Sequence, residues 1–174
     1  MSRAEHPPRS RDLSRRYDRA FRADDAYRAT LPDMQNKDAS LIQGANVPIQ
    51  HVGISGFRLP MLVATRDGKP ITLECTVTGS VSLAADRKGI NMSRIMRTFY
   101  EFKDRVLSHE LLEEILLRYK KDLDCSRARL MVELRYPIMQ KSLRSGLEGW
   151  QYYRAVLEGT IDDLDRQRRY VHFD

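Results

Sequence analysis

Cysteine is scarce in this chain of 174 residues, which contains only Cys75 and Cys125. Two cysteines do not make a disulfide framework, and neither has a second cysteine or a histidine nearby at the spacing of a zinc site. The sequence also lacks an apolar run long enough to cross a bilayer, and its start at Met1 lacks an apolar export signal. We therefore expect a cytoplasmic protein with no membrane partner.

The nine glycines do not form a phosphate-binding loop, and the sequence contains no nucleophile elbow. The excess of positive charge is small, because 30 basic residues face 24 acidic ones and leave a net charge of +6. Such an excess favours anionic partners only weakly, so a nucleotide triphosphate, a nucleic acid and simple solubility all remain open. A hydrophobic content of 41% and a length of 174 residues are typical of one globular domain.

The first part of the chain is rich in arginine and poor in apolar residues. Acidic residues are interleaved with eight arginines between Arg3 and Arg28, and the few apolar residues show no period. This composition predicts a basic, disordered N-terminal tail and lead-in over residues 1–46, with at most one polar helical turn. An arm that contacts nucleic acid is the alternative, and the interleaved acids make nucleic acid an unfavoured partner.

Strands are predicted wherever apolar and polar residues alternate, because alternate side chains of a strand point to opposite faces. This alternation occurs in residues 49–63 and 71–83, with the turn-forming pair Asp67-Gly68 between them. It returns in residues 127–136 and 153–161. Cys75 falls on the apolar face of its strand and is predicted to be an inert core thiol.

Between these two pairs of strands the apolar residues recur at helical spacing. Asn91 or Ser93 is predicted to cap the first helix, which runs to about Leu107, and Ser108 is predicted to cap the second. Residues 170–173 begin a further strand. The order of elements is therefore strand, strand, helix, helix, strand, strand, which predicts an α+β fold with an antiparallel sheet and two helices packed on one face.

Four segments of the chain resemble the GTP cyclohydrolase I type IB family, which belongs to the tunnelling-fold (T-fold) superfamily. The most specific is the tetrapeptide Asn91-Met92-Ser93-Arg94, a variant of His-Met-Ser-Arg in that family. The resemblance covers essentially the whole chain after the tail. The matching segments are Leu31–Gln35, Ile49–Ile54, Lys88–Arg94 and Glu133–Pro137.

The resemblance implies the amino-terminal half of an enzyme built from two fused halves. It implies one T-fold unit over residues 47–162, followed by a linker and the first strand of a missing second half over residues 163–174. The family's catalytic and metal-binding segment would follow Asp174, so neither a catalytic residue nor a metal ligand is assigned within this chain. The chain is expected to be a truncated, inactive piece when it is alone.

The activity that the resemblance implies is the conversion of GTP and water to 7,8-dihydroneopterin triphosphate and formate, early in folate biosynthesis. A divalent metal ion of the zinc, manganese or iron class would activate the water in the full-length enzyme. The resemblance also implies a homo-oligomer of T-fold units, a tetramer in the full-length family, with sites between units. The alternative is a non-catalytic module that oligomerises with itself or with a full-length relative through its strand edges.

Five residues are candidates for contact with the substrate: Lys88, Asn91, Ser93, Arg94 and His51. Arg94 and Lys88 lie where a strand gives way to a helix, and a helix start beside an arginine favours an anion such as phosphate. A surface ion pair is the alternative for Arg94, and a helix N-cap is the simplest role for Asn91. Ser93 has both roles open to it, and a structural histidine at a sheet edge or interface is the alternative for His51.

One aromatic cluster leaves two interpretations open. Trp150, Tyr152 and Tyr153 lie close together around the start of the strand predicted over residues 153–161. They have the composition of a base-stacking platform, and an apolar strand at a sheet or subunit interface is the more ordinary account.

Overall fold

The structure is a computed structural model that describes residues 22, 24–30 and 47–174. Residues 1–32 and residues 33–174 form two compact units. In the first unit, Asp25–Thr30 form the short helix α1, and the side chain of Asp24 accepts a hydrogen bond of 2.7 Å from the backbone N–H of Tyr27. The remainder of the predicted disordered segment over residues 1–46 lies outside the described residues, apart from Arg22.

The second unit contains two strands, two helices and then three strands. These elements are β1 (Ile49–Val63), β2 (Ile71–Leu83), α2 (Met92–Glu101), α3 (His109–Leu123), β3 (Ala128–Lys141), β4 (Glu148–Ile161) and β5 (Gln167–Phe173). The strands lie in the order β1-β2-β3-β4-β5, and every neighbouring pair is antiparallel. The structure confirms the predicted α+β fold with an antiparallel sheet and the ββααββ order of a T-fold unit, and β5 adds a fifth strand beside β4.

Helices α2 and α3 pack on one face of the sheet, and two glycines let them approach closely. A Cβ atom on Gly79 would lie 3.0 Å from Cγ2 of Ile95, and one on Gly159 would lie 3.0 Å from Cδ1 of Leu116. Tyr119, which is 1% exposed, donates a hydrogen bond of 3.1 Å to the carbonyl of Ile95 and ties α3 to α2. The core lies between these helices and the sheet, because the apolar positions of the strands alternate onto the same face.

Both cysteines lie in this core, as predicted for Cys75. Burial raises the pKa of the Cys75 thiol and of the Cys125 thiol to about 11 in each case. The Cys75 thiol donates a weak hydrogen bond of 3.7 Å to the carbonyl of Leu73, and that of Cys125 donates one of 3.6 Å to the carbonyl of Tyr119. Neither side chain therefore presents a thiolate near neutral pH.

The first predicted helix is shorter than expected, because it ends at Glu101 and not near Leu107. The backbone N–H of Leu107 donates a hydrogen bond of 2.7 Å to the carbonyl of Leu62. Val106 also forms a parallel bridge with Leu62. The chain after α2 therefore pairs with the end of β1 instead of continuing the helix, although its apolar residues kept a helical period.

Strands β3 and β4 are longer than predicted and form a projecting hairpin. They pair with each other from Ala128 opposite Ile161 to Lys141 opposite Glu148. The pairing of β3 with β2 ends at Leu134, and the pairing of β4 with β5 ends at Ala155. We call residues 135–154 the hairpin arm. Pro137 lies inside this arm and not in the predicted loop. A proline is tolerated in the strand at this position because β3 is an edge strand there.

Candidate functional site

Five strand ends meet at one end of the sheet, which we call the basal end. Ile49 pairs with Leu83, Ala128 pairs with Val81 and with Ile161, and Ile161 pairs with Gln167. The start of β1, the end of β2, the start of β3, the end of β4 and the start of β5 are therefore side by side. The loop that leads from β2 to α2 also leaves from this end.

A cleft of about 360 Å³ opens at the basal end, and we call it the basal cleft. A second cleft of about 320 Å³ adjoins it and shares the side chains of Gln50, Arg127 and Asp163. The basal cleft is lined by Gln50, His51, Arg127, Ala128, Arg129, Thr160, Ile161, Asp162, Asp163, Arg166 and Arg168. Four arginines and two aspartates among these residues make the lining positive.

Three of the four cleft arginines are paired with carboxylates. Arg127 lies 3.2 Å from the Asp163 carboxylate, and Arg166 donates from Nε to the Asp162 carboxylate at 2.8 Å. Arg129 donates from Nε to Glu158 at 2.7 Å. These pairs hold the guanidinium groups in place and offset part of their charge.

The fourth arginine, Arg168, differs from the others. Within residues 47–174 its guanidinium has no hydrogen-bond or ion-pair partner, and its side chain is exposed at the mouth of the cleft. The uncompensated positive charge of the basal cleft therefore lies mainly on Arg168. An arginine of this kind is suited to an anion that arrives from solvent.

The turn between β4 and β5 positions Arg166 and Arg168. Its organiser is Asp162, whose carboxylate accepts hydrogen bonds from the backbone N–H groups of Leu164 at 2.9 Å and Arg166 at 3.0 Å. Desolvation opposes the ionised form of Asp162, but these hydrogen bonds and the Arg166 side chain outweigh it and hold the pKa of Asp162 below its usual value. The turn is further tied to α3, because Lys120 donates to the Asp162 carbonyl at 2.9 Å.

Glu158 is a buried carboxylate on the face of the sheet without helices. It accepts hydrogen bonds from Arg129 at 2.7 Å and from Nε2 of His172, in the tautomer or charge state that carries a proton there, at 2.9 Å. Burial alone would raise its pKa, but the hydrogen bonds from Arg129 and His172 outweigh burial and lower the pKa of Glu158. The basal cleft is therefore backed by a fixed negative charge that orients Arg129.

The structure places one of the five predicted site residues, His51, in the basal cleft. Its Nδ1 atom lies 3.5 Å from the hydroxyl of Ser80, which is a long contact. Arg94 instead donates a hydrogen bond of 2.9 Å to the carbonyl of Asp122 near the end of α3. It lines a separate depression of about 250 Å³ together with Arg97 and Glu101.

Of the other three predicted residues, Lys88 and Asn91 lie in the loop that leads from the basal end to α2, and Ser93 lies in the first turn of α2. Asn91 occupies the N-cap position of α2, but its side chain makes no capping hydrogen bond. It instead accepts a hydrogen bond of 2.7 Å from the hydroxyl of Ser93, which in turn accepts one of 2.6 Å from Arg97. Lys88 is partly buried, and like Asn91 and Ser93 it does not line the basal cleft. Their role toward a substrate stays a prediction.

The arginines of the basal cleft were not identified from the sequence as site residues. Arg127 and Arg129 come from the start of β3, Arg166 from the turn before β5 and Arg168 from β5 itself, and nothing local brings these segments together. The one available signal was the alternation of apolar and polar residues in β3, which places the side chains of Arg127 and Arg129 on the polar face of that strand. Among the described residues no group of three or more His, Cys, Asp or Glu side chains is arranged to hold a metal ion. No described helix is both long enough and apolar enough to cross a membrane.

A T-fold-like α+β unit with a basic cleft at the end of its sheet is the class of protein that these observations define. The family model for type I GTP cyclohydrolase folE2 matches residues 31–174, and the chain belongs to this family.

Similar proteins carry the same name. The chain is 56% identical over 163 residues to GTP cyclohydrolase FolE2 of Paracoccus denitrificans (strain Pd 1222), covering 93% of this chain and 50% of that protein. It is 53% identical over 163 residues to GTP cyclohydrolase FolE2 of Jannaschia sp. (strain CCS1), covering 94% of this chain and 45% of that protein. The chain thus spans about half the length of the curated relatives that it matches.

A solved structure, described as a highly active BTUO mutant P287G improved by humidity control at 86% RH, resembles the fold weakly. Its TM-score is 0.41 at 10% sequence identity, and the match covers 72% of this chain and 55% of that one. This likeness is too weak to support an argument about function.

Proposed function

We propose that this chain is the amino-terminal half of a type IB GTP cyclohydrolase, which converts GTP and water to 7,8-dihydroneopterin triphosphate and formate. The observation that carries the proposal is the match of the family model to residues 31–174. Relatives at 56% and 53% identity, which are named GTP cyclohydrolase FolE2, support it. Because the chain spans about half of their length, the proposal includes a second half that completes the active site.

The described residues of this chain do not fit a divalent metal ion. No group of three or more metal-binding side chains occurs among them, and burial raises the pKa of both cysteine thiols to about 11. We therefore assign no step of the reaction to a metal held by this half. The zinc, manganese or iron ion of the complete enzyme belongs to residues outside this chain, and the role of this half is to supply substrate-binding groups and a wall of the site.

The complete protein is proposed to be a cytoplasmic homo-oligomer of T-fold units, a tetramer in its full-length form. Two features of the sheet support assembly. Strand β1 has a neighbour on one side only, as does β5, among the strands that the structure describes. Open edges of this length offer backbone hydrogen-bonding groups to another strand.

The test is restoration of the missing half. The chain is fused to the carboxyl-terminal half of the Paracoccus denitrificans relative, and formate release from GTP is measured with and without a metal chelator. We expect activity from the fusion that the chelator abolishes and added metal restores, and none from either half alone. A fusion that folds and takes up metal but releases no formate from GTP would contradict the proposal. GTP-dependent formate release from the chain alone would contradict the assignment of catalysis to the second half.

A further inference from the structure

We propose that the basal cleft binds the linked phosphates of a nucleotide polyphosphate, with Arg168 as the principal phosphate ligand. This inference rests on the proposed function for the identity of the nucleotide. It does not rest on that function for the anion, because the charges and the geometry of the cleft point to a polyphosphate by themselves.

Hydrogen-bond donors form a row across the sheet. Ser80 pairs with Arg129, Arg129 pairs with Thr160, and Thr160 pairs with Arg168. These four residues, which we call the donor row, therefore lie side by side on adjacent strands. Their side chains project from the face opposite the helices, because the neighbouring Gly79 and Gly159 face α2 and α3.

The chemistry of the donor row suits an anion. Two hydroxyl groups and two guanidinium groups form it, and it contains no carboxylate. The acidic Glu158 lies in the next row, opposite Met131 and Tyr170, and engages Nε of Arg129. A guanidinium carries five N–H donors, so Arg129 retains others for a ligand. Thr160 makes no side-chain hydrogen bond to a residue in the described range 47–174.

The two positive charges of the donor row are too far apart for one phosphate. Arg129 and Arg168 lie two strands apart, and neighbouring strands are about 4.8 Å apart, so their backbones are separated by about 10 Å. A single phosphate does not engage both Arg129 and Arg168 along with the Thr160 hydroxyl between them. A chain of linked phosphates matches this separation when its outer phosphate lies on Arg168. This arginine has no partner among the described residues, and a guanidinium can form two parallel hydrogen bonds with phosphate oxygens.

The cleft favours a short polyphosphate over a nucleic-acid backbone. Its volume is about 360 Å³, and Asp162 and Asp163 lie on its lining beside Arg166 and Arg127. These carboxylates would repel a phosphate backbone that continued past the cleft. A nucleotide, which ends at its outer phosphate, avoids that repulsion.

The test is titration of the chain with tripolyphosphate at low ionic strength, followed by calorimetry. Arg168→Gln is expected to weaken binding by about fivefold or more, because it removes the bidentate ligand. The affinity of Arg168→Lys for tripolyphosphate should lie between those of the unsubstituted chain and Arg168→Gln, because lysine keeps the charge but cannot form two parallel hydrogen bonds. The matched control is Arg135→Gln, which removes the same charge from an exposed arginine of β3 outside the basal cleft and should change affinity by less than about twofold.

The proposal would be overturned if the chain showed no saturable binding of tripolyphosphate, or if inorganic phosphate bound as tightly as tripolyphosphate. It would also be overturned if Arg168→Gln left the affinity for tripolyphosphate unchanged, or if Arg135→Gln lowered that affinity equally. Tighter binding of a single-stranded oligonucleotide at equal phosphate concentration, lost in Arg168→Gln, would assign the cleft to nucleic acid instead. Thermal unfolding of each variant shows whether it is folded, and Arg168→Lys provides a second reading if Arg168→Gln is not.

The failure of this proposal and the failure of the cyclohydrolase proposal are distinguishable. If tripolyphosphate binding depends on Arg168 but the fusion releases no formate, the phosphate site stands and the proposed reaction is wrong. If the fusion is active and Arg168→Gln leaves its KM for GTP unchanged, the reaction stands and the phosphate site is wrong. The expected result is a KM raised by about fivefold or more with a smaller effect on kcat.

Discussion

At the scale of single residues, the ion pairs of the sheet differ most in their burial. The side chain of Glu158 is 10% exposed and accepts hydrogen bonds from Arg129 and His172. In contrast, the Arg58–Glu74 pair spans 3.4 Å, with both side chains about 70% exposed. A buried carboxylate that loses a partner is left with an uncompensated desolvation cost, whereas water replaces the partner of an exposed one.

The substitution Arg129→Gln is expected to lower the free energy of unfolding by about 1–2 kcal/mol at neutral pH, because it removes the charged donor to Glu158. Arg58→Gln, the matched control, should change it by less than about 0.5 kcal/mol. Urea unfolding at neutral pH measures both. Equal effects of the two substitutions would mean that Glu158 is not the buried, paired carboxylate that the structure shows.

The same pair of variants has a pH signature. The pKa of Glu158 is lowered from 4.5 in the folded protein, so its stabilising contribution is present above that value and is lost as the pH falls through the lower folded pKa. The deficit of Arg129→Gln relative to the unsubstituted protein should therefore shrink on acidification below about pH 4.5. A deficit that stays constant from neutral to acid pH would assign the effect of Arg129 to packing alone.

At the scale of elements, the two helices are capped differently. Ser108, predicted as the cap of the second helix, accepts a hydrogen bond of 3.2 Å from the backbone N–H of Leu111 at the start of α3. Asn91 has a residue type that often caps helices, yet its side chain is engaged by Ser93 and makes no cap to α2. The propensity of a residue type predicted where the helices begin, but the local hydrogen bonds decided which side chain caps.

Alanine substitutions at Ser108 and Asn91 test whether only the first of these side chains caps its helix. Ser108→Ala should lower the free energy of unfolding by about 1 kcal/mol, because an N–H at the first turn of α3 loses its acceptor. Asn91→Ala should cost distinctly less, because it removes no capping hydrogen bond. Thermal or urea unfolding monitored by circular dichroism provides the comparison. A larger loss in Asn91→Ala than in Ser108→Ala would contradict the capping pattern of the structure.

Element boundaries were predictable from the sequence only where local signals set them. The cap at Ser108 and the turn at Asp67-Gly68 are local, and α3, β1 and β2, whose ends they set, lie where they were expected. The end of α2 is set by pairing of Leu107 with Leu62, and the length of the hairpin arm by pairing of β3 with β4. Such contacts join residues distant in sequence, so periodicity within one segment does not reveal them.

At the scale of the whole molecule, the sequence predicted the layers, the order of the elements along the chain and the antiparallel pairing within the two hairpins, but not the assembly of the candidate site. His51 was singled out from a local motif, and the structure places it in the basal cleft. Arg129 and Arg168 were missed, because they become neighbours only when β3, β4 and β5 align in register. A site made of one residue from each of several strands has no spacing that a sequence displays.

Among residues 47–174, the hairpin arm extends past the neighbouring strands, and Tyr136 at its base donates a hydrogen bond of 3.2 Å to the carbonyl of Ala64. Beyond Leu134 and Ala155 its two strands have only each other as neighbours among the described strands. It also exposes large apolar side chains, including Trp150 at 60% and Tyr152 at 64%. An isolated two-stranded hairpin is at best marginally stable in water, and apolar groups on its surface mark a place where another chain packs.

Amide hydrogen exchange measures whether the arm is supported. In the monomeric chain, amides of β3 within residues 128–134, which lie between β2 and β4, should exchange only through global unfolding. Amides of residues 136–141 and 148–153 should exchange through local opening that costs at least about 2 kcal/mol less. Raising the protein concentration is the control. Protection of the arm that grows with concentration would show a second copy packing on it, while arm protection equal to that of residues 128–134 in a confirmed monomer would contradict the independence of the arm.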